Sequence, residues 1–244
     1  ARRYFPAPAV AHGGADAGRY RPINNKPIDM KQIYLVRKHY PRLLLFFAGW
    51  GADENLFRDY HPDESDFLLC YDYRSLAFDS SALASYREIH LVAWSMGVWA
   101  AAQVLSELPL PLTKCIAVNG TPFPIDDEKG IPEAVFNGTL EGFSPVTLQK
   151  FRRRMCGSTE TVKAFLAHEP LRPLEELREE LACLKQEIVS RPAAPFKWDK
   201  AVIGSRDKII PACNQEAAWR DTETIVCDEE HYSEALFREI LEGM

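Results

Sequence analysis

No stretch of this sequence stays apolar for the roughly 20 residues that a helix needs to cross a bilayer. Its beginning lacks the apolar core of a secretory signal peptide. Its six cysteines stand singly, without the spacing of a zinc site or a disulfide framework. An excess of positive charge is also missing, since the formal net charge is −6. These absences argue against a membrane protein, a secreted scaffold and a general nucleic-acid binder, and they favour a cytoplasmic protein with reduced thiols and no metal.

The composition is that of an ordinary globular protein, with 244 residues, 46% apolar side chains and 26% charged ones. Residues 1–29 stand apart because they are rich in proline and glycine and show no sustained periodicity. We interpret them as a tail, a linker or an expression-derived segment. Without them, Lys and Arg fall from 29 to 24 and Asp and Glu from 35 to 33, a net charge of −9. Residues 30–244 form the predicted domain.

Strand patterns alternate with helix patterns from residue 30 onward. Short apolar runs predict strands at 33–36, 43–47, 67–71, 89–94, 114–119, 199–204 and 222–227. The segments between them predict helices, among them 54–60 and 96–108. This alternation predicts an α/β fold with a mostly parallel central sheet and helices on both faces. In such sheets, ligands bind beyond the carboxyl ends of the strands.

The alternation breaks between about residues 121 and 195. Prolines and glycines indicate loops as far as Gly138, and helical periodicity then covers 146–155, 159–168 and 173–190. A helical insertion at this point forms a cap over the strand ends, and such caps shape the substrate site. We therefore expect the chemistry to come from the sheet and the substrate selection from the cap.

A nucleophile elbow is predicted where the strand at 89–94 turns into the following helix. The segment 93–97 (AWSMG) places Ser95 at the turn, between the small residues Ala93 and Gly97. Small residues are needed there because the turn brings the strand and helix backbones close together. The usual pattern has glycine where this chain has Ala93. The alternative is a serine that merely caps the helix.

A serine nucleophile needs a histidine base and a carboxylate that orients the base. In α/β-hydrolases these residues follow one another as serine, acid and histidine. His231 comes directly after the last predicted strand, and Asp207 comes after the strand before it. Asp207 as a turn former and His231 as a helix cap are the alternative interpretations. Asp72 is a second candidate acid, but we favour for it a structural ion pair with Arg74.

Two backbone amides are candidates for the oxyanion hole. Met96 begins the helix after Ser95, so its N–H points toward the position of a developing negative oxygen. Trp50 lies in the loop after the strand at 43–47, where the second donor of this fold is found. Glycine at positions 49 and 51 lets that backbone approach a reacting carbonyl closely.

With these residues assembled, the chain resembles the BioG-type pimeloyl-[acyl-carrier protein] methyl ester esterases of biotin synthesis, which are α/β-hydrolases. The resemblance covers residues 30–244. It is carried by the segments 47–53 (FAGWGAD), 71–74 (YDYR), 93–97 (AWSMG), 120–125 (GTPFPI), 130–132 (GIP) and 151–155 (FRRRM). It implies hydrolysis of the methyl ester of pimeloyl-acyl carrier protein without a cofactor. It also implies a triad of Ser95, Asp207 and His231.

The implied substrate requires an apolar channel and a surface for an acidic carrier protein. Three aromatic residues are candidates for the channel walls: Trp50, Trp94 and Phe143. The densest basic group in the chain is a candidate for the carrier surface: Arg152, Arg153 and Arg154. The alternatives are core packing for the aromatics and a solvated face for the arginines.

Two other classes of function stay open at this point. A triad serves thioesterases and general carboxylesterases as well, so the residues alone do not select the ester. A catalytically inactive hydrolase fold that acts as a binding module is the other alternative. The oligomeric state has no signal in the sequence.

Overall fold

Seven strands form one sheet in the computed structural model, which describes residues 30–243. They are β1 (Lys31–Val36), β2 (Arg42–Phe47), β3 (Ser65–Tyr71), β4 (Glu88–Trp94), β5 (Leu112–Val118), β6 (Lys200–Gly204) and β7 (Glu223–Cys227). Their order is β1-β3-β2-β4-β5-β6-β7. Only the β1–β3 pairing is antiparallel among these strands. The mostly parallel sheet predicted from the sequence is confirmed, while the interpretation of residues 1–29 lies outside the described residues.

The central strands end at the same level. Phe47 at the end of β2 is in register with Cys70 of β3 and Ala93 of β4. Leu44 and Phe46 on one face of β2 and Leu45 and Phe47 on the other are at most 1% exposed, as expected for a strand covered on both faces. The loops that follow these strands therefore meet at one edge of the sheet.

Eight α-helices surround the sheet within residues 30–243. They are α1 (Glu54–Phe57), α2 (Met96–Leu105), α3 (Glu133–Glu141), α4 (Pro145–Cys156), α5 (Thr159–Ala167), α6 (Leu174–Ser190), α7 (Ala212–Ala218) and α8 (Glu234–Glu242), with a 3-10 turn at Ser81–Leu83. Helices α1 and α2 each end three residues earlier than predicted, at Phe57 and Leu105. Across that same stretch of chain, none of the helices combines the length and apolarity of a membrane span.

Helices α3 to α6 lie between β5 and β6, where the cap was predicted. The expectation of loops as far as Gly138 is wrong for residues 133–138, since α3 begins at Glu133. Proline is compatible with a helix start, and Pro132 immediately precedes α3. A side chain added at Gly138 would meet nothing within 4 Å, so this glycine lies on an open helix face. Pro132 and Gly138 therefore did not mark a loop, although proline and glycine often break helices.

A buried cluster of charges fastens the cap to the sheet. The predicted Asp72–Arg74 ion pair is present at 2.7 Å. Arg172, in the segment before α6, contacts both Asp72 at 2.9 Å and the fully buried Glu180 at 2.6 Å. Burial alone would raise the pKa of Asp72, but the Arg74 hydrogen bond and the Arg172 charge hold it below its usual value. Burial raises the pKa of Glu180, and Arg172 opposes that rise.

Candidate active site

Ser95 occupies the sharp turn between β4 and α2. Its φ of 56° and ψ of −125° form a conformation that L-residues rarely adopt. Close backbone contacts at two glycines beside Ser95 show how tightly this turn is packed. A Cβ on Gly97 would lie 2.2 Å from the Phe47 carbonyl oxygen, and one on Gly120 would lie 2.5 Å from the Ser95 carbonyl oxygen. The strand and helix backbones thus approach as closely as a nucleophile elbow requires.

The structure brings together the three residues expected to form the triad. His231 Nε2 lies 3.0 Å from Ser95 Oγ. On the other side of the ring, His231 Nδ1 lies 2.7 Å from Asp207 Oδ2. All three side chains are buried. This is hydrogen-bond contact from nucleophile to base and from base to carboxylate, so the arrangement can activate a serine hydroxyl.

The Asp207 carboxylate is held by donors other than His231. Its Oδ1 accepts from the backbone N–H groups of Ile209 at 2.7 Å and Ile210 at 2.9 Å. Its Oδ2 also accepts from Gln215 Nε2 at 2.9 Å. These bonds fix the rotamer of the carboxylate.

Asn119, which no motif in the sequence singles out, fixes the loop that carries His231. Its Nδ2 donates to the carbonyl oxygens of Glu230 at 2.9 Å and His231 at 3.0 Å, and its Oδ1 accepts from Gly204 N–H at 2.7 Å. The Trp94 indole donates to the same His231 carbonyl at 3.0 Å. Asn119 has a φ of 42°, which asparagine tolerates better than most residues. A polar residue at a strand end was the only sequence signal for this role.

Both candidate oxyanion donors lie beside Ser95. The Met96 N–H is the first of α2, where no intrahelical carbonyl is available to accept from it. Gly49 and Trp50 line the same cavity as Ser95. The Trp50 indole points into the cap and donates to the Leu177 carbonyl at 2.9 Å. The side chain of Trp50 therefore anchors the loop after β2 to the cap.

A narrow apolar cavity opens above Ser95. The cap contributes most of its wall, through Ile131, Val135, Phe136, Thr139, Phe151, Arg154, Met155 and Leu181. Trp50 and Trp94 line it, as expected for a channel wall. Phe143 does not, because it packs against the far side of the Trp50 ring with centroids 5.8 Å apart. The expectation for Phe143 is therefore corrected to packing behind the wall.

The three arginines of α4 point in different directions. Arg152 is half-buried and pairs with Glu169. Arg153 and Arg154 are exposed, and Arg154 both lines the cavity and donates to the Lys208 carbonyl at 2.8 Å. Lys150, also exposed, shares a helix face with Arg153 and Arg154 because of its spacing. We call Lys150, Arg153 and Arg154 the basic face of α4.

The fold is that of an α/β-hydrolase. Its sheet has the expected strand order, its serine lies in a strained turn after a central strand, and an acid and a histidine follow later strands. Comparison with solved structures agrees. An esterase from Exiguobacterium antarcticum matches with a TM-score of 0.63 over 86% of this chain and 90% of its own, at 15% identity, which shows the shared fold.

The chain belongs to the BioG family. The sequence model described as pimeloyl-ACP methyl esterase BioG matches residues 30–240. The crystal structure of BioG from Haemophilus influenzae matches with a TM-score of 0.80 and 37% identity, over 87% of this chain and 99% of that one.

Two further relatives are not named as BioG. A Bacteroides fragilis protein named malonyl-[acyl-carrier protein] O-methyltransferase is 54% identical over 200 residues, which are 81% of this chain and 41% of that protein. The chain thus spans less than half the length of this relative. An uncharacterized protein from Haemophilus influenzae is 42% identical over 72% of this chain and 81% of its own length.

Proposed function

We propose that this protein hydrolyses the methyl ester of pimeloyl-acyl carrier protein and releases methanol. The observation that carries the proposal is the Ser95–His231–Asp207 hydrogen-bonded series at the base of an apolar cavity. The description of the family supports the choice of ester.

The geometry supports a two-step acyl transfer. His231 Nε2 takes the proton from Ser95 Oγ as that oxygen attacks the ester carbonyl, and Asp207 stabilises the resulting imidazolium. The Met96 and Trp50 amides hold the oxyanion, each donor being worth about 3–4 kcal/mol in the transition state. His231 then protonates the departing methanol. A water molecule, deprotonated by the same histidine, attacks the acyl-enzyme and frees Ser95.

The cap supplies the binding part of the proposal. Its apolar wall fits a pimeloyl chain, which carries few polar atoms along its length. The basic face of α4 borders the cavity through Arg154 and suits an acidic carrier, although the chain itself has a net charge of −6. Arg152 contributes less, because Glu169 already pairs with it.

Methyl transfer, as in the name of the Bacteroides fragilis relative, is the competing activity. This chain matches 41% of that protein. We assign hydrolysis to the matched part, because a serine nucleophile with a histidine base has no role in direct methyl transfer. A thioesterase or a general carboxylesterase would use the same triad.

The test is methanol release from methyl-pimeloyl carrier protein by the wild type and by Ser95→Ala. We expect the variant to lose activity by a factor on the order of 10⁴ or more. Ser106→Ala, at the opposite end of α2, is the matched control and should retain activity. Mass analysis of the carrier identifies the bond cleaved: retention of the pimeloyl group supports the esterase, and its loss indicates a thioesterase. Equal activity in Ser95→Ala would contradict the proposal.

A further inference from the structure

A second apolar compartment lies directly behind the cavity of Ser95. It shares four lining residues with that cavity: Trp50, Trp94, Phe151 and Met155. Its other walls include Leu56, Leu148 and Phe165, whereas Ser95 and His231 line only the first cavity. We call this second space the back compartment and the four shared residues the partition.

The exposed rim of the first cavity is formed by residues outside the partition. Val135 is 37% exposed and Arg154 is exposed, and neither lines the back compartment. By contrast, Trp94 and Met155 of the partition are 2% and 3% exposed. A carrier-bound substrate that arrives past Arg154 therefore places its acyl chain along the outer wall. Its alcohol group, on the other side of the reacting carbonyl, then faces the partition.

We propose that the back compartment is a blocked alcohol subsite, and that Met155 is the specificity-determining residue that restricts the ester alcohol to methanol. This inference rests on the proposed ester hydrolysis. The partition leaves room for the methyl group of a methyl ester, while a longer alkoxy group collides with Met155 or Phe151. The reaction itself is unchanged: the alcohol leaves with the proton from His231, and water completes hydrolysis.

Met155 suits this part because its side chain is buried and lines both spaces. Its backbone carbonyl accepts from Tyr232 N–H at 3.1 Å, which ties α4 to the residue after His231. Phe151 is fixed by an edge-on contact with Trp50, at a centroid distance of 5.0 Å. Truncating Met155 at Cβ keeps the backbone contact and joins the two spaces.

The experiment measures kcat/KM for the methyl, ethyl, propyl and butyl monoesters of free pimelic acid. In the wild type we expect a steep decline from methyl to butyl. In Met155→Ala each added methylene enters the back compartment and strengthens binding by up to about fourfold. The ratio of kcat/KM for the butyl ester to that for the methyl ester should therefore rise by about tenfold or more. Because both rates come from one variant, partial loss of active protein cancels in the ratio.

Two control variants complete the design. Met155→Leu refills the partition and should keep the wild-type ratio. Leu184→Ala truncates a fully buried side chain of the cap that lines neither space, and it should also leave the ratio unchanged.

The outcomes separate this inference from the proposed function. An unchanged ratio in Met155→Ala, with methyl ester still hydrolysed, overturns the alcohol subsite alone. A gain for longer diacid methyl esters, without a gain for longer alcohols, overturns it as well by assigning the space to the acyl chain. A wild type that hydrolyses no ester in this series or on the carrier overturns the proposed function itself.

Discussion

At the scale of single residues, the site depends on backbone groups as much as on the three reacting side chains. Asn119 illustrates this. It joins the end of β5 to the end of β6 and to the loop after β7, through three hydrogen bonds of 2.7 to 3.0 Å. Its partners Glu230 and His231 lie more than 100 residues away in the chain. We interpret Asn119 as a positioning residue that fixes the distance between His231 and Ser95 by holding the loop that carries His231.

Replacing Asn119 with Asp tests this role. The carboxylate removes both donors to the carbonyl oxygens and adds a negative charge beside the backbone of His231. A negative charge favours the imidazolium and raises the pKa of the base, so the acid limb of kcat/KM should move to higher pH. We expect kcat to fall and stability to decrease by about 2–4 kcal/mol. A pH profile and denaturant unfolding measure the two effects.

Asn214 offers a matched control for this substitution. It is buried, and its Nδ2 likewise donates to two carbonyl oxygens, those of Asp127 and Gly130. Asn214→Asp should cost comparable stability without moving the acid limb. An equal shift of the pH profile in both variants would show that Asn119 has no special relation to His231.

At the scale of helices and loops, the cap holds the loop after β2 from several points. Leu171 N–H donates to Asp53 at 2.6 Å, and the Leu177 carbonyl accepts from the Trp50 indole at 2.9 Å. From the sheet side, the Tyr73 hydroxyl donates to the Ala48 carbonyl at 2.6 Å. The position of the Trp50 amide therefore depends on the cap as well as on the sheet.

Tyr73→Phe removes the contact with Ala48 and keeps the ring. The loop is then free to rotate the Trp50 amide, which in the proposed mechanism donates to the transition state more strongly than to the ground state. We expect kcat to fall by about three- to tenfold with little change in KM, and stability to fall by about 1 kcal/mol. Steady-state kinetics on a free methyl ester, together with thermal unfolding, measure both quantities.

The control for Tyr73→Phe is Tyr86→Phe. Tyr86 donates to Asp66 at 2.7 Å near the start of β3, so the same hydroxyl is lost at the opposite end of the strands. Tyr86→Phe should lower stability and leave kcat unchanged. If Tyr73→Phe raises KM instead of lowering kcat, the hydroxyl serves substrate binding and does not hold the Trp50 amide in place.

The sequence predicted the features that depend on short-range patterns. Strand ends are visible as apolar runs followed by polar residues, so Ser95, Asp207 and His231 could be placed at one edge of the sheet. The structure brings these residues into hydrogen-bond contact. The Asp72–Arg74 pair was visible too, because its partners are two residues apart.

Features that depend on distant packing were not visible. The position of Phe143 behind Trp50 follows from how the cap docks, which no local pattern encodes. Arg172 gave no signal as a partner of Asp72, from which it is separated by 100 residues of chain. Helix α3 was missed because Pro132 precedes its first turn and Gly138 lies on its open face, so neither residue breaks the helix. The sequence therefore indicated the chemistry better than the shape of the substrate site.

At the scale of the whole molecule, an acidic protein is proposed to bind an acidic carrier. Two bodies of like charge repel at long range, so association depends on a local region of opposite sign. The basic face of α4 provides such a region beside the cavity. Arg87 lies just before β4, whereas Ser95 lies just after it, so Arg87 is at the opposite edge of the sheet.

Charge reversal at Arg153 tests whether the basic face guides the carrier. Arg153→Glu should lower kcat/KM on methyl-pimeloyl carrier protein by about tenfold at about 50 mM salt, and the deficit should shrink at about 500 mM because salt screens exposed charges. A free methyl ester carries no comparable surface, so its hydrolysis should stay at the wild-type rate. Arg87→Glu changes the net charge equally at the far edge and should have a much smaller effect on the carrier substrate. Equal losses in the two variants would mean that net charge alone governs the encounter, and that the carrier does not approach Ser95 across α4.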